Sequence, residues 1–370
     1  MNNASAVQRF FKLAKIDSAP TEERLIADEL KNELKQLGCS VYEDGAGEKI
    51  NGNTGNLIAT LPGTLPGTIM FCAHMDRVEQ GLGIKPQIKD GIISSDGTTI
   101  LAADDLAGVV AILEGVAKAK ASERPHPNIE ILFPVCEERG LMGSKNLDYS
   151  KVNAKFGYIL DTSGRIGRIV NKAPFKGVVT IEVFGKASHA GNFPERGVNA
   201  IMAAAHILDG LQEGRLGLES TSNFGSIYGG GENIGTVCNH AVIRGEIRNH
   251  DKSKLEEYYQ YVKEYCEQKI KETKATCSIK FKLDYEGFFV PVTDPMMVLL
   301  TDTMKSMNIT PRIETGMGGM DANNFNAYGI KSVGVAIGYS EPHSLNERIV
   351  VEDLIKAGEL VYNLIFNYHE

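Results

Sequence analysis

The chain has 370 residues and a net charge of -8, with 23% charged and 42% hydrophobic residues. This length exceeds one ordinary hydrophobic core and predicts two domains, or one large α/β domain with an insertion. The acidic balance, without any run rich in lysine and arginine, argues against nucleic acid as a partner, and no apolar stretch approaches the roughly 20 residues of a membrane span.

Helix and strand patterns alternate along most of the chain. Phe10, Phe11 and Leu13 indicate one face of a first helix, and helical spacing over 21–37 ends at Gly38, a natural C-cap. Apolar runs rich in branched residues predict buried strands, and longer runs with helical spacing predict helices. These are the strands 56–61, 68–73, 129–135, 157–160 and 332–337 and the helices 106–121 and 351–366. This order predicts an α/β fold with a mostly parallel sheet and helices on both faces.

The middle of the chain follows a different pattern. Alternation of apolar and polar residues predicts strands, and amphipathic spacing predicts helices, in this order: strand 178–183, helix 199–211, strand 241–247, helix 254–271 and strand 277–283. Antiparallel-type strands that flank two helices are typical of a small α+β domain. We therefore predict a larger domain formed by 1–174 and 289–370, and an inserted α+β domain over 175–288.

The cysteines indicate a reducing compartment. All six are scattered along the chain and form no Cys-x-x-Cys pair, as is typical of reduced thiols in a cytosolic protein. The N-terminal segment MNNASAVQRFFKLAK holds no apolar run of the length that a signal peptide needs. We therefore expect a cytoplasmic protein.

Acidic and imidazole side chains occur at five points along the predicted sheet, where open α/β sheets place their sites. They are His74 with Asp76, Asp104 with Asp105, Glu137 with Glu138, Asp161, and His343. Each alone has an ordinary explanation, since a histidine after a strand is more often structural and paired acidic residues are usually solvated. Together at one sheet edge, they would be costly to bury without a cation. Imidazole and carboxylate are ligands that zinc prefers when no thiolate is present, and shared carboxylates allow a paired site.

Five segments together resemble the dizinc peptidases related to peptidase T, the aminotripeptidase, in a wider group that includes aminoacylases and glutamate carboxypeptidases. They are AHMD (73–76), LAADDLAG (101–108), VCEERGLMG (135–143), KASHAG (186–191) and GGMDANNF (318–325), and they occur in the family's order. The resemblance implies hydrolysis of the amide bond of short peptides, most often with release of the N-terminal residue from tripeptides. It also implies that the inserted domain serves as a lid or dimerisation domain, so that a homodimer is expected.

The resemblance implies two zinc ions per chain, or cobalt or manganese in their place. His74, Asp104 and Asp161 would hold one ion, while Asp104, Glu138 and His343 would hold the other. Pattern alone does not decide between Asp104 and the adjacent aspartate at 105 as the bridging ligand. The family's spacing to the glycine at 108 selects Asp104.

Four further roles follow from the resemblance. Glu137 would be the general base, and Asp76 would hydrogen-bond His74 and fix its tautomer. In the inserted domain, His189 would help to hold the oxyanion, and Arg248 would bind the substrate's carboxylate. For Arg248, an ordinary surface ion pair is an equally good explanation from the residues themselves.

Two other functions stay open at this point. A zinc-dependent carboxypeptidase or an N-acyl-amino-acid deacylase would use the same zinc core, and a requirement for a free N-terminal amine would separate these from an aminopeptidase. A binding or scaffold protein without activity is the third alternative. Such a protein should lack the general base or a metal ligand, whereas Glu137 and all five expected ligands are present.

Overall fold

The computed structural model describes residues 3–232 and 234–369. Its α-helices in these ranges are α1 (Asn3–Ala14), α2 (Arg24–Gln36), α3 (Ala46–Ile50), α4 (Ala103–Ala121), α5 (Met142–Lys145), α6 (Ala200–Leu208), α7 (Lys252–Ile270), α8 (Pro295–Ser306), α9 (Asp321–Ala327) and α10 (Val351–Asn367). The chain divides into two compact units, the first formed by Met1–Lys172 and Phe289–Glu370 and the second by Ala173–Phe288.

The strands form three sheets. They are β1 (Ser40–Glu43), β2 (Leu57–Leu61), β3 (Thr68–Cys72), β4 (Gln87–Lys89), β5 (Ile92–Ser94), β6 (Asn128–Phe133), β7 (Phe156–Thr162), β8 (Arg168–Ala173), β9 (Phe175–Phe184), β10 (Gly214–Gly217), β11 (Ser220–Gly229), β12 (His240–Asn249), β13 (Thr276–Tyr285), β14 (Phe288–Phe289), β15 (Arg312–Thr315), β16 (Lys331–Ala336), β17 (Tyr339–Ser340) and β18 (Arg348–Val350). The largest sheet has the order β1-β2-β6-β3-β7-β16-β8-β14, with β15 beside β8.

The centre of the large sheet is parallel. The pairs β6–β3, β3–β7 and β7–β16 are parallel, whereas β1–β2, β2–β6 and β16–β8 are antiparallel. The central strands are buried almost throughout, as their continuous apolar runs predict. Helix α4 is apolar on nearly all sides and packs against α1 and α10. The predicted α/β fold with a mostly parallel sheet is therefore confirmed.

The second unit contains an antiparallel sheet of order β10-β11-β12-β9-β13. Strand β9 alternates strictly, so that Val179, Ile181 and Val183 enter the core of this unit with residues of α6 and α7. The intervening side chains of the strand stay partly exposed. This alternation is the pattern from which the sequence predicts a separate α+β domain, and the antiparallel sheet confirms that fold class.

Most predicted elements are present with shifted bounds, and several others escaped prediction. Helix α6 ends at Leu208 rather than 211, because Asp209 has extended backbone angles and Gly210 has a φ of +85°. Strand β11 was missed because its serines, glycines and asparagine carry little apolar alternation. Helix α8 had a usable signal, since Asp294 accepts the Met296 N–H as N-cap ahead of a proline at the first helical position.

The cysteines and the helix lengths relate to the cellular environment that the sequence predicts. All six cysteines are free, and burial raises the pKa of the Cys136 thiol to about 12, so it stays protonated and unreactive at neutral pH. Within the described ranges, no helix has the length and apolar character that crossing a bilayer requires.

Arg77 anchors the loop after β3 to the N-terminal helix. Its side chain is fully buried, and burial lowers the pKa of the guanidinium to about 10, which leaves it charged at neutral pH. It donates five hydrogen bonds, to the carbonyl oxygens of Leu13, Ala14, Ile16 and Gly81 and to Oγ of Ser18. Three of these carbonyls lie at or just after the end of α1, where the last carbonyls of a helix lack partners within the helix.

We expect Arg77→Lys to destabilise the larger unit by roughly 2–6 kcal/mol. A lysine has three donors against the five acceptors of Arg77, so at least two of these hydrogen bonds would be lost, at a cost of roughly 1–3 kcal/mol for each buried group whose hydrogen bond is lost. Calorimetric unfolding measures the change, with the exposed Arg139→Lys as the matched control. Unfolding of both variants at the same temperature would contradict this role.

Candidate metal centre

Four adjacent parallel strands bring the predicted site together. The strands lie in the order β6-β3-β7-β16, and their carboxyl ends meet at one edge of the sheet. His74 follows β3, Glu138 follows β6, and Asp161 is the penultimate residue of β7. His343 lies on the loop after β17, and Asp104 lies at the start of α4, where its backbone angles (φ -82°, ψ 101°) are not yet helical.

The two carboxylate oxygens of Asp104 face two different histidines. Oδ1 lies 3.2 Å from Nε2 of His74, and Oδ2 lies 3.4 Å from Nε2 of His343. His74 Nε2 is also 4.0 Å from Oδ1 of Asp161, and His343 Nε2 is 2.8 Å from Oε1 of Glu138. These contacts divide the five side chains into two groups that share Asp104, and the groups are close neighbours, because His74, Asp104 and Glu138 also have ligand atoms within 4.8 Å of one another.

These distances fit zinc. Two ligands of a tetrahedral ion, each about 2.0–2.1 Å from the metal, lie about 3.3 Å apart. The four distances between the histidine nitrogens and the carboxylate oxygens range from 2.8 to 4.0 Å. Nitrogen and oxygen donors in this number suit a divalent ion of the zinc, cobalt or manganese type.

The electrostatics of the cluster also fit a cation. Burial raises the pKa of Asp161 well above its ordinary value, and burial likewise raises the pKa of Glu138 against the hydrogen bond from His343. Burial acts to raise the pKa of Asp104 too, but hydrogen bonds with His343 and His74 outweigh it and lower the pKa. Among the described residues, the two imidazoles are the only cationic groups paired with these carboxylates. Additional positive charge would stabilise all three carboxylates in their ionised form.

Asp105 is a second candidate by distance, because its carboxylate, His74 and Asp161 have ligand atoms within 4.8 Å of one another. Both of its oxygens already accept main-chain hydrogen bonds. Oδ2 accepts the N–H of His74 and Oδ1 accepts the N–H of Gly108, each at 3.2 Å. This geometry favours a structural role for Asp105, whereas the oxygens of Asp104 accept no main-chain N–H among the described residues and are better placed to bind a metal ion.

Asp76 contacts two parts of the site. Its Oδ1 accepts the N–H of Glu137 at 2.9 Å, and its Oδ2 accepts the N–H of Glu138 at 3.1 Å. Nδ1 of His74 lies 3.0 Å from the main-chain oxygen of Asp76 and 3.4 Å from its Oδ1. The main chain of Asp76 is thus the nearer acceptor for the imidazole, while the carboxylate mainly holds the loop with the two glutamates.

Glu137 lies beside the ligand cluster with its carboxylate unpaired. In the described chain, its side chain forms no hydrogen bond, although its main-chain N–H is held by Asp76. Burial raises the pKa of Glu137 well above the ordinary value, and the charge of Asp161 adds to the rise. A half-buried carboxyl with a raised pKa is suited to accept a proton and to release it again.

Three residues near the site were not found from the sequence. Glu347 accepts N–H groups from the Asp104 loop, Tyr339 donates its hydroxyl to Asp161, and Glu23 accepts the Cys136 N–H. None of them belongs to a motif, and their neighbours in the sequence carry no polar pattern. Their proximity to the site arises from the tertiary fold.

Two predicted site residues belong to the second unit. Nδ1 of the exposed His189 accepts N–H groups from Gly191 at 3.2 Å and Asn192 at 3.1 Å, so that a neutral ring carries its proton on Nε2. Arg248 donates from Nε to Glu246 at 2.8 Å and from its Nη2 atom to the same carboxylate at 3.2 Å. Within this unit, His189 therefore presents a free donor, whereas Arg248 has an acidic partner on its own strand.

Two family models match this chain in part. The model of the peptidase dimerisation domain of the M20 type matches residues 177–274, and the model of peptidase family M28 matches residues 56–187. The first match falls inside the second compact unit. The other includes the segments with His74, Asp104, Glu138 and Asp161.

Similarity to individual proteins extends over almost the entire chain. The solved structure of the aminopeptidase PepT of Bacillus cereus is 39% identical, covers 99% of both chains and has a TM-score of 0.88. A tripeptidase structure from Staphylococcus aureus is 30% identical, covers 99% of this chain and 98% of its own, and has a TM-score of 0.91. The Bacillus subtilis protein YqjE is 35% identical over 99% of this chain and 98% of its own length.

Proposed function

This chain belongs to the peptidase T family of peptidases, and we propose on that basis that it hydrolyses the amide bond of short peptides. The favoured reaction is metal-dependent release of the N-terminal residue from tripeptides. The similar proteins from Bacillus cereus and Staphylococcus aureus are described as an aminopeptidase and a tripeptidase. The single observation that carries the proposal is the cluster of two imidazoles and three carboxylates, in which Asp104 contacts both imidazoles.

For the cofactor, we propose two zinc ions, with cobalt or manganese as substitutes. His74, Asp104 and Asp161 would hold one ion, and Asp104, Glu138 and His343 the other, as the two groups of contacts suggest. When bound, such ions lower the pKa of water and polarise the substrate's carbonyl group.

We assign the proton transfer to Glu137. Its carboxylate is unpaired among the described residues, and burial raises its pKa above the ordinary value, which is the direction that suits a group that must both accept and donate a proton. It takes a proton from the attacking water and delivers it to the nitrogen of the leaving amine. Asp76 keeps Glu137 in place through the main-chain N–H.

We propose that the inserted domain, 175–288, supplies a lid and a dimer surface. In the substrate-bound protein, His189 would donate its Nε2 proton to the oxyanion, and Arg248 would bind the substrate carboxylate after partial release from Glu246. The match to a dimerisation domain supports a homodimer. So do the exposed apolar residues of this unit at α6 and β11, which include Met202 (67% exposed) and Tyr228 (64% exposed). Six free thiols support a cytoplasmic location.

The proposed activity is tested with an asymmetric tripeptide such as Leu-Gly-Gly. We expect free leucine and Gly-Gly as products, no cleavage of the N-acetylated tripeptide, and loss of activity with a chelator followed by recovery with zinc. Chromatography of the products measures the outcome. Release of the C-terminal glycine would favour a carboxypeptidase instead, and cleavage of N-acetyl-leucine would favour a deacylase.

The role of Glu137 is tested by the same substitution at two neighbouring residues. Glu137→Gln should retain both ions and lose at least a hundredfold in kcat, since the amide cannot accept the proton. Glu138→Gln should instead bind less metal, because Glu138 is a proposed ligand. Metal analysis of the purified variants and steady-state kinetics distinguish them. Near-native turnover of Glu137→Gln would show that another group moves the proton.

His189→Ala should lower kcat by roughly 10²–10³-fold at unchanged metal content, which is the typical effect of losing one oxyanion donor. The matched control is His206→Ala, because His206 is a histidine of the same unit that is paired with Glu272. The control should keep full activity. If His189→Ala keeps the full activity expected of the control, His189 takes no part in the reaction.

A further inference from the structure

We propose that the segment from Tyr339 to Glu347 is a positioning clip for the metal centre, an inference that rests on the metal binding proposed above. The segment carries one proposed ligand, His343. Its two ends contact the elements that carry two further ligands, Asp161 and Asp104. Neither Tyr339 nor Glu347 is a ligand in this proposal, and both act through the residues that they hold.

The base of the clip is closed by the main chain. Tyr339 pairs with Ile349 and Ser340 pairs with Arg348 between β17 and β18, so the two ends of the segment lie side by side. Between them, Glu341 and His343 have positive φ angles of 55° and 59°. Such angles are unfavourable for residues other than glycine and persist where the surroundings fix them.

Tyr339 fastens the first end to β7 and the loop after it. The residue is 2% exposed, and its hydroxyl donates to Oδ1 of Asp161 at 3.2 Å. Its main-chain oxygen accepts the N–H of Gly164 at 2.7 Å. One oxygen of Asp161 is therefore oriented by the phenol, which fixes how the carboxylate faces His74. Hydrogen bonds of this kind to a ligand commonly set its geometry and basicity.

Glu347 fastens the other end to the loop that presents Asp104. The side chain is 1% exposed, and its Oε2 accepts the N–H groups of Leu101 and Ala102, each at 2.9 Å. Its Oε1 accepts the N–H of Asp104, also at 2.9 Å. Ala102 has left-handed angles (φ 56°, ψ 36°), which the carboxylate helps to hold. When the Glu347 carboxyl is ionised, these three hydrogen bonds are stronger than bonds between neutral partners.

The two ends should affect the two ions differently. Asp161 belongs to one proposed ligand group, so Tyr339→Phe should weaken the binding of one ion only. Asp104 belongs to both groups, so Glu347→Gln should weaken the binding of both ions. The glutamine amide offers only one acceptor oxygen and turns its NH₂ donor toward a main-chain N–H. Loss of a residue that orients a ligand typically lowers metal affinity by roughly 10–100-fold.

The experiment is a titration of the metal-free full-length protein with Co²⁺. Binding is monitored by the visible absorption of the bound ion and, separately, by calorimetry. Tyr339→Phe should leave one site with wild-type affinity and weaken the other by roughly 10–100-fold. Glu347→Gln should weaken both and change the absorption of both. Thermal unfolding of the metal-free variants is measured in parallel, since a purely structural role would lower stability without selective loss of one ion.

Two control variants match these changes. Tyr328→Phe removes an exposed tyrosine hydroxyl, and Glu341→Gln changes a glutamate of the same segment that pairs with Arg348 at the surface. Both controls should bind two ions as the wild type does. If Glu347→Gln fails to fold, Tyr339→Phe decides alone, because it keeps the aromatic ring and removes one hydroxyl.

Failure of the clip and failure of the proposed function give different results. If wild-type protein binds two ions and cleaves tripeptides while Tyr339→Phe binds both ions as tightly as wild type, the clip is refuted and the function stands. If the wild-type protein binds no divalent ion, the function on which the clip depends is refuted. Equal weakening of both ions by Tyr339→Phe would also contradict the assignment of Tyr339 to Asp161.

Discussion

The site depends on buried carboxylates that accept main-chain N–H groups. Glu347, Asp76, Asp105 and Glu23 each bind one or more backbone amides in the loops at the carboxyl edge of the sheet. These loops leave the regular strands and helices, so their amides have no partner in a ladder. A charged acceptor holds them more firmly than a neutral one, because charge-assisted hydrogen bonds are roughly twice as strong.

This arrangement divides the acidic residues into two classes. Carboxylates that accept main-chain amides hold the backbone, and carboxylates that accept none among the described residues, such as Asp104, Glu138 and Asp161, face the histidines. The concentration of negative charge would be unfavourable in isolation, and burial raises the pKa of Glu23 and of Glu347 to about 7 each. Divalent cations bound by the carboxylates that face the histidines would stabilise the ionised form of all the acidic side chains at this edge of the sheet. This includes the carboxylates that would not contact the ions.

The sequence predicts residues that the fold brings together as proposed metal ligands, but it does not predict the residues that hold their loops. His74, Glu138 and Asp161 follow or end buried strands, so hydrophobic patterns place them at one sheet edge, and the family's motifs order them. Asp104 needed the family's spacing, because its neighbour at 105 is chemically identical and differs only in the hydrogen bonds that the fold imposes. Glu347 is isolated in a loop without pattern, and only its contact with a distant turn distinguishes it from a surface glutamate.

The sequence separation between Asp104 and Glu347 has a consequence for biosynthesis. The hydrogen bond joins residues 243 positions apart, and His343 is nearly as distant from its partners. A nascent chain emerges from the ribosome with the Asp104 loop long before the acceptor that holds it. Until translation has passed residue 347, the amides of the Asp104 loop lack that acceptor. The proposed metal centre therefore cannot be complete before translation has passed residue 347, and we expect a chain that stops short of this point to lack peptidase activity.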